Sequence, residues 1–152
     1  MGLAMLNRAL LEKDPVGVEF GLYLGFRFGI SPDYLAPLLG LAEGEWHQRH
    51  EDVVLALEKL LDPSSIDVLS RVACTTYDYL AYDGSRALRV KSVYAISKIP
   101  ALEAVAALKR LWQCGDDVTA PLAKERLAAL EKRSSSEAVR DAARRTLNDT
   151  GI

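Results

Sequence analysis

One short stretch of this chain occurs twice: Ala56-Leu57-Glu58-Lys59 returns letter for letter as Ala129-Leu130-Glu131-Lys132, with Ala95-Ile96-Ser97-Lys98 as a looser copy between them. The spacings are 39 and then 34 residues, and Glu103-Ala104-Val105 returns as Glu137-Ala138-Val139 at the same offset of 34. A unit of this length, holding a helix, a short break and a second helix, cannot bury its apolar stripe alone. It does so against its neighbours, and successive units stack into an α-solenoid. The longer first spacing coincides with residues 75–84, which makes Tyr77-Asp78-Tyr79-Leu80-Ala81-Tyr82-Asp83 an insertion between repeats, a position where binding features are commonly hung.

The rest of the chain reads as helices separated by caps and prolines. Residues 3–12 carry Leu3, Leu6, Leu10 and Leu11 on one side, and Asp14-Pro15 closes that helix and opens the next. In the second segment Gly17, Gly21, Gly25 and Gly29 recur every fourth residue among Phe20, Tyr23, Phe26 and Phe28. On a helix the glycines form one ridge for a close neighbour, and the packing must return the roughly 1 kcal/mol that each costs relative to alanine. A strand competes, because Phe26, Phe28 and Ile30 alternate, but nothing else in the chain offers a strand to pair with, so helix is the expectation. Ser31-Pro32 starts a helix that Pro37 should kink or split. Trp46-His47-Gln48-Arg49-His50 runs into a helix bearing Val53, Val54, Leu57, Leu60 and Leu61, and Asp62-Pro63 ends it. Further helices are expected over residues 64–74 and 85–99, then from Pro100 with Ala104, Val105, Leu108 and Leu111 inward, then with Leu122, Leu127 and Leu130 inward, and last with Val139, Ala142, Ala143 and Leu147 inward. Pro121 is tolerable only in a first turn, and residues 148–152 should fray.

These repeats carry a resemblance. Residues 86–148 look like HEAT repeats of the short bacterial type; with Trp46-His47, His50-Glu51-Asp52-Val53-Val54 and Tyr79-Leu80-Ala81-Tyr82-Asp83, the whole chain resembles a set of small bacterial HEAT-repeat proteins. The fold expected is all-α: a right-handed α-solenoid of stacked antiparallel helix pairs, about nine helices, in a single domain over residues 1–152. Residues 1–45 would be N-terminal capping helices and residues 46–148 the HEAT-like repeats. Some relatives with this architecture are immunity proteins, so the resemblance implies a non-enzymatic protein-binding module that neutralises a cognate bacterial toxin by occluding its active site. A general intracellular scaffold or regulator is the alternative, and a His/Glu metal-dependent enzyme is a third.

Composition bounds these readings. With 152 residues, 49% apolar and 26% charged, the chain suits one soluble globular domain. The most apolar window, residues 16–30, is short and contains Glu19 and Arg27, so no membrane span is expected; the N-terminus makes a poor signal peptide, and cytoplasm is the expected location. Cys74 and Cys114 have no zinc-type spacing and are expected to be buried, reduced thiols. Residues 43–83 hold nine acidic and three basic residues, net −6, and residues 84–133 hold five acidic and ten basic, net +5. The acidic block would attract a basic partner, such as a basic toxin domain. The basic stretch raises nucleic acid, but an isoelectric point near 5.7 and the absence of interleaved aromatics argue against it.

The partner-binding residues expected are Trp46, His47, His50, Glu51, Asp52, Tyr77, Asp78, Tyr79, Tyr82 and Asp83, since tyrosine supplies stiff contact area with a hydroxyl and carboxylates accept charge-assisted hydrogen bonds. The bland reading keeps Asp83 as a cap for the helix near Ser85 and one tyrosine as packing. His47, His50 and Glu51, at i, i+3 and i+4 of a helix, would be the one candidate metal set; two ligands and a third fall short of a site, and a di-iron hydroxylase would need several His-Glu pairs. No catalytic residue, metal or cofactor is therefore expected, and the chain should be monomeric or weakly dimeric.

Overall fold

The computed structural model describes residues 1–149, apart from the side chain of Cys114, so the expected burial of that thiol and the fraying of residues 150–152 lie outside the described residues, whereas Asn148 and Asp149, also expected to fray, are the last two residues of a helix. Among the described residues the chain is all helical, with nine α-helices: α1 Gly2–Glu12, α2 Pro15–Phe28, α3 Leu35–Leu41, α4 His50–Leu60, α5 Ile66–Val72, α6 Arg86–Lys98, α7 Leu102–Cys114, α8 Thr119–Arg133 and α9 Glu137–Asp149. Single 3-10 turns cover Pro32–Tyr34, Pro63–Ser65 and Asp78–Asp83.

The repeats stack in two layers. Helices α4, α6 and α8 pack in succession, as do α5, α7 and α9, while α7 and α8 and their partners α6 and α9 close the hairpins between layers. The Ala-Leu-Glu-Lys copies occupy the C-terminal ends of α4, α6 and α8, and the Glu-Ala-Val copies the N-terminal turns of α7 and α9. Ala56 and Ala95 are fully buried where neighbouring repeats touch, with Leu57 and Ile96 beside them. One apolar core runs unbroken from Leu6 to Ala143. Each fully buried leucine or isoleucine in it is worth about 1.5–3 kcal/mol relative to exposure.

Helices α1 to α3 cover the open end of the first repeat through α2 on α4 and α3 on α4. The glycine-periodic segment is a helix. A methyl group on Gly21 would lie 2.7 Å from Leu6, and one on Gly17 would lie 2.9 Å from Ala9, so the glycine ridge is where α2 lies against α1. Gly29 ends the helix at φ 119, outside the range other residues favour.

Several expectations need correction. Leu11 is exposed, because α1 buries only the face of Gly2, Leu6 and Ala9. Pro37 neither kinks nor splits its helix: it is the third residue of α3, where its missing N–H has no partner to lose. Pro121 occupies the equivalent position in α8, in the first turn as required. Cys74 is exposed, since α5 stops at Val72 and the chain turns the thiol outward. No helix among the described residues is long and apolar enough to cross a membrane.

Candidate functional site

The candidate site is assembled where the loop before α4 meets the insertion before α6. The first surface to account for is a stack of rings. Trp46 meets His47 edge-on at 5.1 Å between centroids, His47 stacks on His50 at 4.3 Å, and His50 stacks on Tyr77 at 4.0 Å. Such a column holds two chain segments together without any regular element between them.

Hydrogen bonds fix both imidazoles. The backbone N–H of Arg49 donates to Nδ1 of His47 over 3.0 Å, so Nε2 carries the proton and donates over 2.7 Å to the Leu41 carbonyl at the end of α3, which also accepts the Gly44 N–H. His50 donates from Nε2 to the Gly44 carbonyl over 2.7 Å and accepts the Tyr79 hydroxyl at Nδ1 over 2.6 Å. Burial lowers the pKa of both rings; for His50 burial and the neighbouring His47 bring it down to about 4. Both histidines are therefore neutral at pH 7, and all four ring nitrogens are engaged. They have no lone pair left for a metal, and among the described residues no three His, Cys, Asp or Glu side chains converge as ligands. His47 is also not on the helix, which begins at His50, so the expected i, i+3, i+4 face does not exist.

The insertion is pinned at both ends. Tyr77 donates its N–H to Ser85 Oγ over 2.9 Å, and Ser85 donates its N–H to the Leu80 carbonyl. Gly84 and Ser85 both have left-handed backbone, and Ser85 is fully buried. Asp83 accepts the Ala87 N–H over 3.1 Å and so caps α6, as the bland reading had it.

What remains outside is a cleft of about 280 Å³ lined by Glu45, Gln48, Thr76, Tyr77, Asp78 and Tyr79. Tyr77 is pushed up to about 12 by burial and by the nearby Glu43, Tyr79 and Glu45, and Tyr79 is raised chiefly by burial, so both hydroxyls stay protonated. Four of the nine acids in the block have a cation beside them, and Asp62 and Asp83 are taken up as backbone caps. Glu43 takes Arg71 in two hydrogen bonds of 3.0 and 3.1 Å, Glu51 takes Lys91 at 2.9 Å, Glu58 takes Lys98, and Arg49 lies between Glu19 at 2.6 Å and Asp52 at 3.7 Å. Among the described residues Glu45 and Asp78 make no ion pair. The cleft thus offers two free carboxylates beside tyrosine rings.

The ten expected contact residues separate accordingly. Tyr77, Asp78 and Tyr79 share the cleft, although Tyr77 is buried and shows only an edge. Trp46 and Arg49 line a separate cleft of about 390 Å³ with Val16 and Glu19. Tyr82 is 78% exposed and lies outside both clefts. His47 and His50 are corrected from contact residues to internal supports, because they are buried with every polar atom in use. Glu51 and Asp52 are committed to Lys91 and Arg49, and Asp83 to its cap. Sequence reasoning missed Glu45, Gln48 and Thr76; the acidic count over residues 43–83 included Glu45 but gave no sign that it would stay unpaired.

No protein-family model matches the chain, and none of the curated proteins compared with it does.

Proposed function

We propose that the chain is a non-enzymatic protein-binding module that takes a lysine or arginine side chain of its partner into the cleft between Glu45 and Asp78. The observation that carries this is that Glu45 and Asp78, neither of them ion-paired among the described residues, line one cleft together with Tyr77 and Tyr79, while Glu43, Glu51, Glu58 and Glu19 are paired. A guanidinium or ammonium entering the cleft would gain charge-assisted hydrogen bonds and the face or edge of a tyrosine ring. The ring stack beneath would keep the cleft from collapsing while empty, which lowers the cost of ordering on binding.

The finer reading is an immunity protein that acts in the cytoplasm and occludes the active site of a cognate toxin with a basic surface. It rests on the resemblance of residues 46–148 to bacterial HEAT-repeat proteins together with the acidic cleft. The test is co-expression with the product of the neighbouring gene. Rescue of the host by the wild-type chain, lost when Glu45 and Asp78 are both replaced by lysine, supports it. A neighbour that is harmless, or rescue that survives the replacement, sinks the immunity reading.

A further inference from the structure

Helix α2 turns its glycines inward and leaves aromatic side chains outside. Val16, Phe20, Tyr23 and Phe26 lie along its outer face and are 59, 55, 62 and 37% exposed. The sequence from Phe20 to Phe26, Phe-Gly-Leu-Tyr-Leu-Gly-Phe, reads the same in both directions about Tyr23, and Glu19 and Arg27 stand at mirror positions just outside it. A two-fold axis through Tyr23, perpendicular to the helix, lays two copies of α2 antiparallel. It brings Phe20 opposite Phe26, Tyr23 opposite Tyr23, and Glu19 opposite Arg27 twice over. In a closed dimer one patch must complement itself under this operation, and here ring meets ring and carboxylate meets guanidinium. Among the described residues Arg27 has no ion pair in its own chain, and Glu19, although it pairs with Arg49, keeps a half-exposed carboxylate.

We infer that the outer face of α2 is a homodimer interface whose occupant is the same helix of a second copy, related by a two-fold axis at Tyr23. The area suits it. With aromatic side chains of roughly 150–250 Å² each, the exposed parts of these residues and of Met1, which shares a groove of about 490 Å³ with Val16 and Phe20, offer on the order of 500 Å² of apolar surface. An interface of standard size takes roughly 800 Å² per partner, a little over half of it apolar, or about 450 Å². A bilayer is a poorer occupant. The exposed charges on and beside these helices, Arg8, Lys13 and Arg27 against Glu12, Glu19 and Asp33, balance, whereas helices that lie on anionic lipid carry a basic excess.

The test is sedimentation equilibrium over a range of concentrations, with helicity checked by circular dichroism. The wild type should dimerise reversibly. Tyr23→Arg, at an exposed position, should weaken the dimer about tenfold or more with helicity unchanged. Arg27→Glu and Glu19→Arg should each be monomeric alone, since each copy then faces like charge, and should form a heterodimer when mixed. The inference is overturned by a wild type that stays monomeric throughout, by a dimer that neither Tyr23→Arg nor Arg27→Glu disturbs, or by a monomer that instead co-sediments with anionic phospholipid vesicles.

Discussion

The Tyr79 hydroxyl donates to Nδ1 of His50 over 2.6 Å across 29 residues of sequence, and through it the insertion is fastened to the first helix of the repeat array. Since His50 also donates to the Gly44 carbonyl, one neutral imidazole holds three segments: the loop after α3, the start of α4 and the insertion.

That neutrality makes stability depend on pH. The folded pKa of His50 is about 4 against 6.5 for the free group, so below pH 6.5 the unfolded chain binds a proton that the folded chain refuses. The contribution is fully present above pH 6.5 and is lost as pH falls toward 4, at up to about 1.4 kcal/mol per pH unit and roughly 3 kcal/mol in all. Urea melts at pH 7.5 and 4.5 should differ in midpoint, and His50→Gln should flatten the difference. An equal pH dependence in that variant would contradict the assignment.

Ser85 anchors the other end of the insertion. Ser85→Ala leaves the Tyr77 N–H without its acceptor in a buried place and should cost about 1–3 kcal/mol by denaturant titration. Ser85→Gly removes the same hydroxyl but relaxes the left-handed backbone at φ 59, and should therefore cost less.

The contact between α1 and α2 predicts an inverted alanine effect. On an open helix Gly21→Ala would stabilise by roughly 1 kcal/mol. Here the new methyl lands 2.7 Å from the fully buried Leu6 and 3.2 Å from its backbone nitrogen, neither of which can retreat, so overpacking of about 1–3 kcal/mol should win and the melting temperature should fall.

Buried Arg89 ties the end of α5 to the loop before α8, donating to the Ala73 carbonyl over 3.0 Å and pairing with Asp116. Arg89→Ala takes the guanidinium donor from the Ala73 carbonyl, strips Asp116 of its cation and opens a cavity, with an expected loss of about 2–4 kcal/mol in chemical denaturation.

How much of this was legible in the sequence depends on the range of the interaction. Short-range patterns were: the copied tetrapeptides mark equivalent ends of α4 and α6 and α8, Asp83 caps α6, Pro121 sits in a first turn, and the glycine ridge marks a close helix contact. Charge was not. The acidic and basic blocks look like opposed patches along the chain, yet α4 and α6 lie side by side and Glu51 meets Lys91 as Glu58 meets Lys98, each 40 residues apart. A linear count cannot see that cancellation, nor which acids it leaves unpaired, Glu45 and Asp78 at the cleft among them. The histidines misled for a related reason. Spacing suggested one helical face, but α4 starts at His50, and His47 serves as a cap on the Leu41 carbonyl instead.

The central claim is that the Glu45 and Asp78 cleft receives a cationic side chain. It is tested most directly by following backbone amide shifts in NMR while an arginine-rich peptide is titrated in. The account predicts shifts concentrated at Glu45, Gln48 and Thr76 to Tyr79, weakening as salt rises, with affinity reduced about tenfold or more when Glu45→Gln and Asp78→Asn are combined. Shifts scattered over the other acidic residues, or binding that the double replacement leaves unchanged, would contradict it.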